Sequence, residues 1–552
     1  MMIFKKIQLS LLITTVAMLL QVACNPPPPK EQKQSVQPAQ AALKQNNEKK
    51  QSVRINIATE PRSLDPAKAS DLQSITLVKT LFDGLTSMGK GNAIEMALAE
   101  NVIISEDRKT FIFTLRDAQW TNGDAVRASD FIYAWRRVVD PNVPADNAFH
   151  LYCVKNAKAI KSGELPVEEL GAKAIDERTL QVELESPTPY FLELLSYPVF
   201  SPINENVDRA TPNWTDAIET FVSNGPFSLV EWKYQDKLTL QKNLTYWDKD
   251  SVHLDEISLF VLKEETGLSM FENREVDWAG SPLSAIPIDA LGKLQAEKIL
   301  NKKPILGTYF LRINTENSVL KSKSIRQALS LSINRDELVE HALAGSQIAA
   351  TGFVPELLGL RDQSYFHGDD THEAMKYFEK GLEELSLTRS KVPELEILLV
   401  NNERSLHIAQ LLQERWQSVF GIKVRLNAME AKSYFERLYK RDFQVAAADW
   451  IADYNDPISF LEIFKTKTTR ANLTGWENEE YTHLIEASNN EMDVAARKKL
   501  LAQCEQILLA DMPIVPLFHY NLLFLKDKNL SDVTISNLGV IDFKKAKWDA
   551  KK

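Results

Sequence analysis

Cysteine is scarce in this chain: 552 residues hold three, Cys24, Cys153 and Cys504. A scaffold built on disulfides is excluded by that count. Cys153 and Cys504 lie far apart in sequence and read as two buried free thiols rather than a pair. A surplus of positive charge is missing too. Lys and Arg number 65 against 75 Asp and Glu, a formal net charge of −10, which disfavours nucleic acid as a partner because phosphate binding needs a basic surface. No H-E-x-x-H, G-x-S-x-G, P-loop or dinucleotide-type G-x-G-x-x-G occurs, and His372-Glu373 lacks a second histidine. These absences argue against an exported peptidase, the competing reading from another function class, and leave no cofactor or metal expected. The one extended apolar run, residues 7–20, is short and broken by Gln8, Ser10 and two threonines, unlike a transmembrane helix.

What is present is ordinary globular material: 44% hydrophobic and 25% charged. The length exceeds what one core supports, so two or three domains are expected. Lys5 and Lys6 before the apolar run, and Val22-Ala23-Cys24 after it, make residues 1–24 a secretory signal. Residues 25–52 open with four prolines and then carry Gln, Lys, Ala and Asn with few large apolar side chains. Such a segment cannot bury enough surface to order itself and reads as a tether.

Beyond it the periods of two and of 3.6 alternate. Strands are expected at 53–58, 111–115, 179–183 and 238–240. A helix is expected at 130–139, capped by Ser129 or Asp130. The clearest unit is a βαβ crossover: an apolar strand at 395–400, a helix at 403–420 with Leu406, Ala409, Leu412, Trp416 and Val419 on one side, Gly421 as its stop, and a strand at 422–426. The body is therefore α/β.

The most informative stretch is Trp450-Ile451-Ala452-Asp453-Tyr454-Asn455-Asp456-Pro457, with Asp449 just before it. A strand at 443–448 leads in, and Asp456-Pro457 reads as a helix N-cap followed by proline. The acids thus fall on a strand-to-helix loop, where open α/β sheets hold ligands. A carboxylate walled by indole and phenol suits a small cation such as an amine.

This stretch resembles the W-x-A-D-Y-N-[ED]-P signature of the oligopeptide-binding proteins of bacterial ABC importers. Further matches follow in order: Ser63-Leu64-Asp65-Pro66, Leu81-Phe82-Asp83-Gly84-Leu85, Trp120-Thr121-Asn122-Gly123-Asp124 running to Asp130-Phe131, Asn224-Gly225-Pro226-Phe227, Tyr246-Trp247 and Ile514-Val515-Pro516. The resemblance covers roughly residue 54 to residue 520 and beyond. It implies the two-lobed periplasmic-binding-protein fold of the large peptide binders, with an extra inserted domain. Lobe one is then 53–83, 206–306 and 521–552, the inserted domain 84–205 and lobe two 307–520.

The resemblance also implies a function. An exported solute-binding lipoprotein would capture oligopeptides in a closing cleft and deliver them to ABC permease subunits. It would be periplasmic or on the cell surface, anchored through a lipidated Cys24 and acting as a monomer. Gln21 departs from the leucine usual three residues before such a cysteine, and a plain signal peptide is the alternative. Asp453 is expected to bind the peptide α-ammonium, and Trp450 to wall a side-chain pocket. Tyr454 and Asn455 contact the ligand or hold the loop. His407, with Arg404 nearby, would meet the carboxyl end from the first turn of its helix, or be structural. Tyr309 and Asn314 would offer a strand edge to the peptide backbone, or pack in a hinge strand. Ala447 stands where the family has an arginine, Ala431 where it has a tryptophan, and Ser70 where it has an acid, though Asp71 is adjacent. These departures open the ligand to a modified or cell-wall peptide, or to a metal chelate, sugar, haem or opine on the same fold. A sensor in place of a permease is the other open partner.

Overall fold

A computed structural model of the chain describes residues 51–549 apart from 367–369 and 470. The signal segment, Cys24 and nearly all of the tether lie outside the described residues. Strand alternation begins at Ser52–Ile57, where Val53 and Ile55 turn inward.

The main sheet has eleven strands. Its path runs Val424–Met429, Leu395–Val400, Val445–Ile451, Asn301–Ile313, Ile514–Lys526, Trp278–Gly280, Ser52–Ile57, Glu256–Val261, Lys237–Lys242 and Phe227–Lys233, with Ile348–Ala349 also paired to Ile514–Lys526. The two central strands are the longest, 13 residues each. They pair antiparallel with register breaks between Pro304 and Thr308 and between Tyr309 and Phe310. Each break shifts the ladder and bends it locally. A separate four-stranded sheet, Ala99–Ile104, Thr110–Leu115, Thr179–Glu183 and Ala172–Ala174, lies within residues 84–205, and the helix Ala128–Val139 packs on it.

The βαβ unit has the expected form. Leu395–Val400 pairs in parallel with Val424–Met429, and Glu403–Phe420 crosses between them. Asn402 caps the helix by accepting the Ser405 N–H at 2.9 Å, and Gly421 ends it at φ 65°. Its buried face is Ile408, Ala409, Leu412, Trp416 and Phe420, whereas Leu406 and Val419 are only half-buried.

Two local expectations are corrected. The strand before the acidic loop is Val445–Ile451, not 443–448, because Trp450 and Ile451 still pair with Thr308 and Gly307. The helix expected from Asp130 begins at Ala128, and Asp130 reaches back to the Arg127 N–H at 2.9 Å instead of standing at the cap.

Several of the sequence motifs prove to be mutual supports. Asp83 accepts from Tyr246 Oη at 2.6 Å and Trp247 Nε1 at 2.9 Å, while its backbone exchanges hydrogen bonds with the Asn224 amide. Three motifs meet at one buried residue. Gly225 is required beside it, since a Cβ there would lie 2.5 Å from the Leu81 carbonyl carbon. Asp65 takes Arg137 in a two-pronged pair at 3.0 and 2.7 Å. Cys153 and Cys504 are both free, and burial pushes each thiol up to about 12. No helix among the described residues is long and apolar enough to cross a membrane.

Candidate functional site

The site starts from an incomplete ladder. Val445–Ile451 pairs along its whole length with Asn301–Ile313 on one side. On the other side Leu395–Val400 meets it only at Val445 and Ala446. From Ala447 onward that edge has no strand partner among the described residues. The Ala452 N–H donates to the Leu306 carbonyl and the Asn314 N–H to the Gln444 carbonyl. Alternation in an antiparallel ladder then turns the peptide groups of Asp449 and Ile451 toward the open edge. Both residues are exposed. Loss of water nonetheless raises the Asp449 carboxyl.

Asp453 stands just past the end of this edge, half-buried, its own N–H donating to Ser459 Oγ at 3.0 Å. Among the described residues no cation neutralises its carboxylate. The only basic group within ion-pair distance among the described residues is His150 Nε2, at 3.9 Å. Burial holds that imidazole down to about 3, so it is neutral, and Nε2 has no hydrogen-bond partner. Loss of water alone lifts Asp453 to about 7. The arrangement is a carboxylate short of one positive charge.

The loop carrying it is pinned on all sides. Trp450 Nε1 donates to the Ser459 carbonyl at 2.9 Å. Tyr454 is buried and stacks flat on Tyr190, ring centroids 4.2 Å apart. The Asn455 N–H donates to Glu193 Oε2 at 3.1 Å, and its Oδ1 accepts from Asn537 Nδ2 at 3.2 Å. Tyr454 and Asn455 therefore take the loop-holding alternative in this structure. Asp456 accepts the Ile458 N–H and pairs with Arg497 through two contacts of 2.7 and 2.9 Å. Pro457 occupies the cap position of a helix only four residues long, Ile458–Leu461, one place later than expected, although the Asp456 carboxylate does the capping.

The edge assigned to Tyr309 and Asn314 is corrected. Residues 308–312 are paired on both sides, so Tyr309 has no edge to offer a ligand. Tyr309 is buried and stacks on Phe518 at 4.9 Å, and Asn314 donates to the Arg441 and Phe443 carbonyls. His407 sits one position beyond the first turn of Glu403–Phe420, past the unpaired N–H groups, and is exposed. The same helix brings Arg404 close enough to act electrostatically on Asp449, Tyr309 and Tyr520.

Sequence reasoning missed His150, Tyr190, Glu193 and Tyr197. They come from a remote segment and meet the loop only in three dimensions. Burial and the Asp456 charge lift Glu193 to about 7. No periodicity or short motif in residues 148–197 marks them. Among the described residues no group of three or more His, Cys, Asp or Glu gathers to hold a metal.

Residues 93–472 match the family described as bacterial extracellular solute-binding proteins, family 5. An oligopeptide-binding protein from Bacillus subtilis is 38% identical across 91% of this chain and 94% of its own length. A periplasmic murein peptide-binding protein from Escherichia coli is 30% identical across 86% of this chain and 88% of its own. The crystal structure of the Haemophilus influenzae oligopeptide-binding protein in complex with RPPGFSPFR superposes with a TM-score of 0.77 at 27% identity, covering 91% of this chain and 99% of that one.

Proposed function

The chain belongs to family 5 of the bacterial extracellular solute-binding proteins, and on that premise we propose that it captures oligopeptides in a closing cleft and hands them to an ABC transporter. The observation that carries the reading is Asp453: a desolvated carboxylate without a cationic partner, at the end of an unpaired strand edge. A peptide supplies both missing parts. Its backbone completes the ladder at Asp449 and Ile451 without regard to sequence. Its α-ammonium returns the charge that Asp453 lacks. Trp450, whose indole is fixed through Ser459, walls the first side-chain pocket. His407 and Arg404, at the head of the helix Glu403–Phe420, would face the far end of a longer ligand.

The relatives with peptide-binding names support this reading. The pair of long central strands, with their register breaks, suits a hinge between the proposed lobe one with its inserted domain and lobe two. Export and anchoring through Cys24, a monomeric state, and binding without hydrolysis complete the proposal. The reading is tested by calorimetry on ligand-stripped protein with di- to pentapeptides, each with a free or an acetylated N-terminus. Free-amine peptides should bind, acetylated ones should not, and Asp453→Ala should weaken binding by about 2–5 kcal/mol. Indifference to acetylation would remove Asp453 as the amine anchor, and failure of every free peptide to bind folded protein would end the peptide reading. Peptides recovered intact after incubation would match a carrier, whereas cleavage would contradict it.

A further inference from the structure

Buried arginines in this molecule spend their donors, with one exception. Arg326 donates to four backbone carbonyls, those of Leu320, Lys321, Asp511 and Met512. Arg335 donates to Pro516 and Ser330. Arg497 holds Asp456 and the Ser488 carbonyl. Arg312 is as buried as these, at 7% exposure, yet among the described residues its guanidinium makes no hydrogen bond and no ion pair, and its Nε is enclosed without a partner. A buried charge left this way is unfavourable unless something from outside completes it.

Its position says what that something is. Arg312 stands directly opposite Ala446 in the ladder, on the face shared by Ala448 and Trp450. Asp449, the carboxylate whose field reaches it, belongs to the opposite face by alternation and is hydrogen-bonded to Tyr520 Oη at 3.4 Å. Between Arg312 and the open edge lie the small side chains of Ala446 and Ala448 and the buried Tyr434, whose hydroxyl donates to the Ala447 carbonyl. The rest of its surroundings are aromatic: Phe310 at 5.5 Å, with Tyr434 and Tyr439 close enough to act on its charge. The path from Ala446 to Asp453 extends at most about 23 Å at about 3.3 Å per residue, the span of about seven extended residues.

We infer that Arg312 is the anchor for a carboxylate of the bound peptide, reached past Ala448 and the Tyr434 hydroxyl at about the fourth to sixth ligand residue. This rests on the peptide reading and adds to it a preference for acidic ligands. Arg312 replaces, from the neighbouring strand, the positive charge that Ala447 does not provide. The carboxylate is either the ligand's C-terminus or an acidic side chain.

The test uses the full chain, ligand-stripped, with Asp453 intact. Free-amine tetra- to hexapeptides of alanine would be titrated with an amidated or a free C-terminus, and with Glu or Gln at each of positions three to six. In the wild type, neutralising one carboxylate should weaken binding at least about tenfold. The arm that responds identifies the source. In Arg312→Met that preference should fall to within about twofold, in Arg312→Lys it should partly persist, and the need for a free amine should survive in both. A wild type that binds amidated Gln peptides as tightly as acidic ones, or an Arg312→Met protein that keeps the preference, would overturn the inference and leave the peptide reading standing. A failure of all free peptides to bind would sink both. Amide-peptide binding retained by Arg312→Met excludes a misfolded variant.

Discussion

Asp453 and Glu193 are two carboxylates lifted to about 7 by burial, on either side of one contact. In an unfolded chain both titrate near 4. Between about pH 4 and about pH 7 the folded, ligand-free protein therefore holds protons that the unfolded chain has released. Stability from these groups is fully present below about pH 4 and is lost as pH rises through about 7. The melting temperature of stripped protein should be higher at about pH 6 than at about pH 8, and Asp453→Asn should flatten that slope. Differential scanning calorimetry decides it. Peptide affinity should instead peak between about pH 7 and about pH 8, where Asp453 is ionised and an α-amino group is still protonated. Neutral His150 adds no competing positive charge across that range.

Asp83 carries a prediction at the scale of elements. It joins the helix Leu72–Leu81 to the strand Phe227–Lys233 and the Tyr246-Trp247 turn, through contacts that belong to three separate motifs. Asp83→Ala leaves two buried donors unsatisfied and should cost about 3 kcal/mol in urea denaturation, with little effect on peptide affinity in the folded fraction. The same carboxylate explains how much could be read in advance. Local pattern was enough for the helix Glu403–Phe420 and its Asn402 and Gly421 ends, because caps and periodicity act within a few residues. It also drew attention to Asp453 and Trp450, whose loop the structure fixes through Ser459 beside the open edge. It failed for Tyr309 and Asn314, because whether a strand has an edge depends on a neighbour about 200 residues away, here Ile514–Lys526. It failed for His150 and Tyr190 for the same reason, since their partners on the loop are remote in sequence. The residues of the other motifs, read only as family matches, turn out to support one another, a role that short strings of sequence do not state.

For the whole molecule, ligand entry requires the loop bearing Asp453 and Tyr454 to part from the segment bearing His150, Tyr190 and Glu193. A ligand closes that gap only to the extent that it binds the closed form better. Small-angle X-ray scattering should record a smaller radius of gyration on adding a tight free-amine peptide, and no change for Asp453→Ala at the same concentration. An unchanged radius with proven binding would rule out hinge closure. The two central strands carry one more implication. Thr308 and His519 are ladder neighbours, about 5 Å apart, so on the proposed lobe boundaries the chain enters and leaves the half containing Asp453 through a single doorway. That half can be exchanged between relatives as one uninterrupted cassette, with two adjacent splice points and no rethreading of the remainder. Ligand choice can thereby be inherited by recombination, independently of the surface that lobe one offers to other proteins.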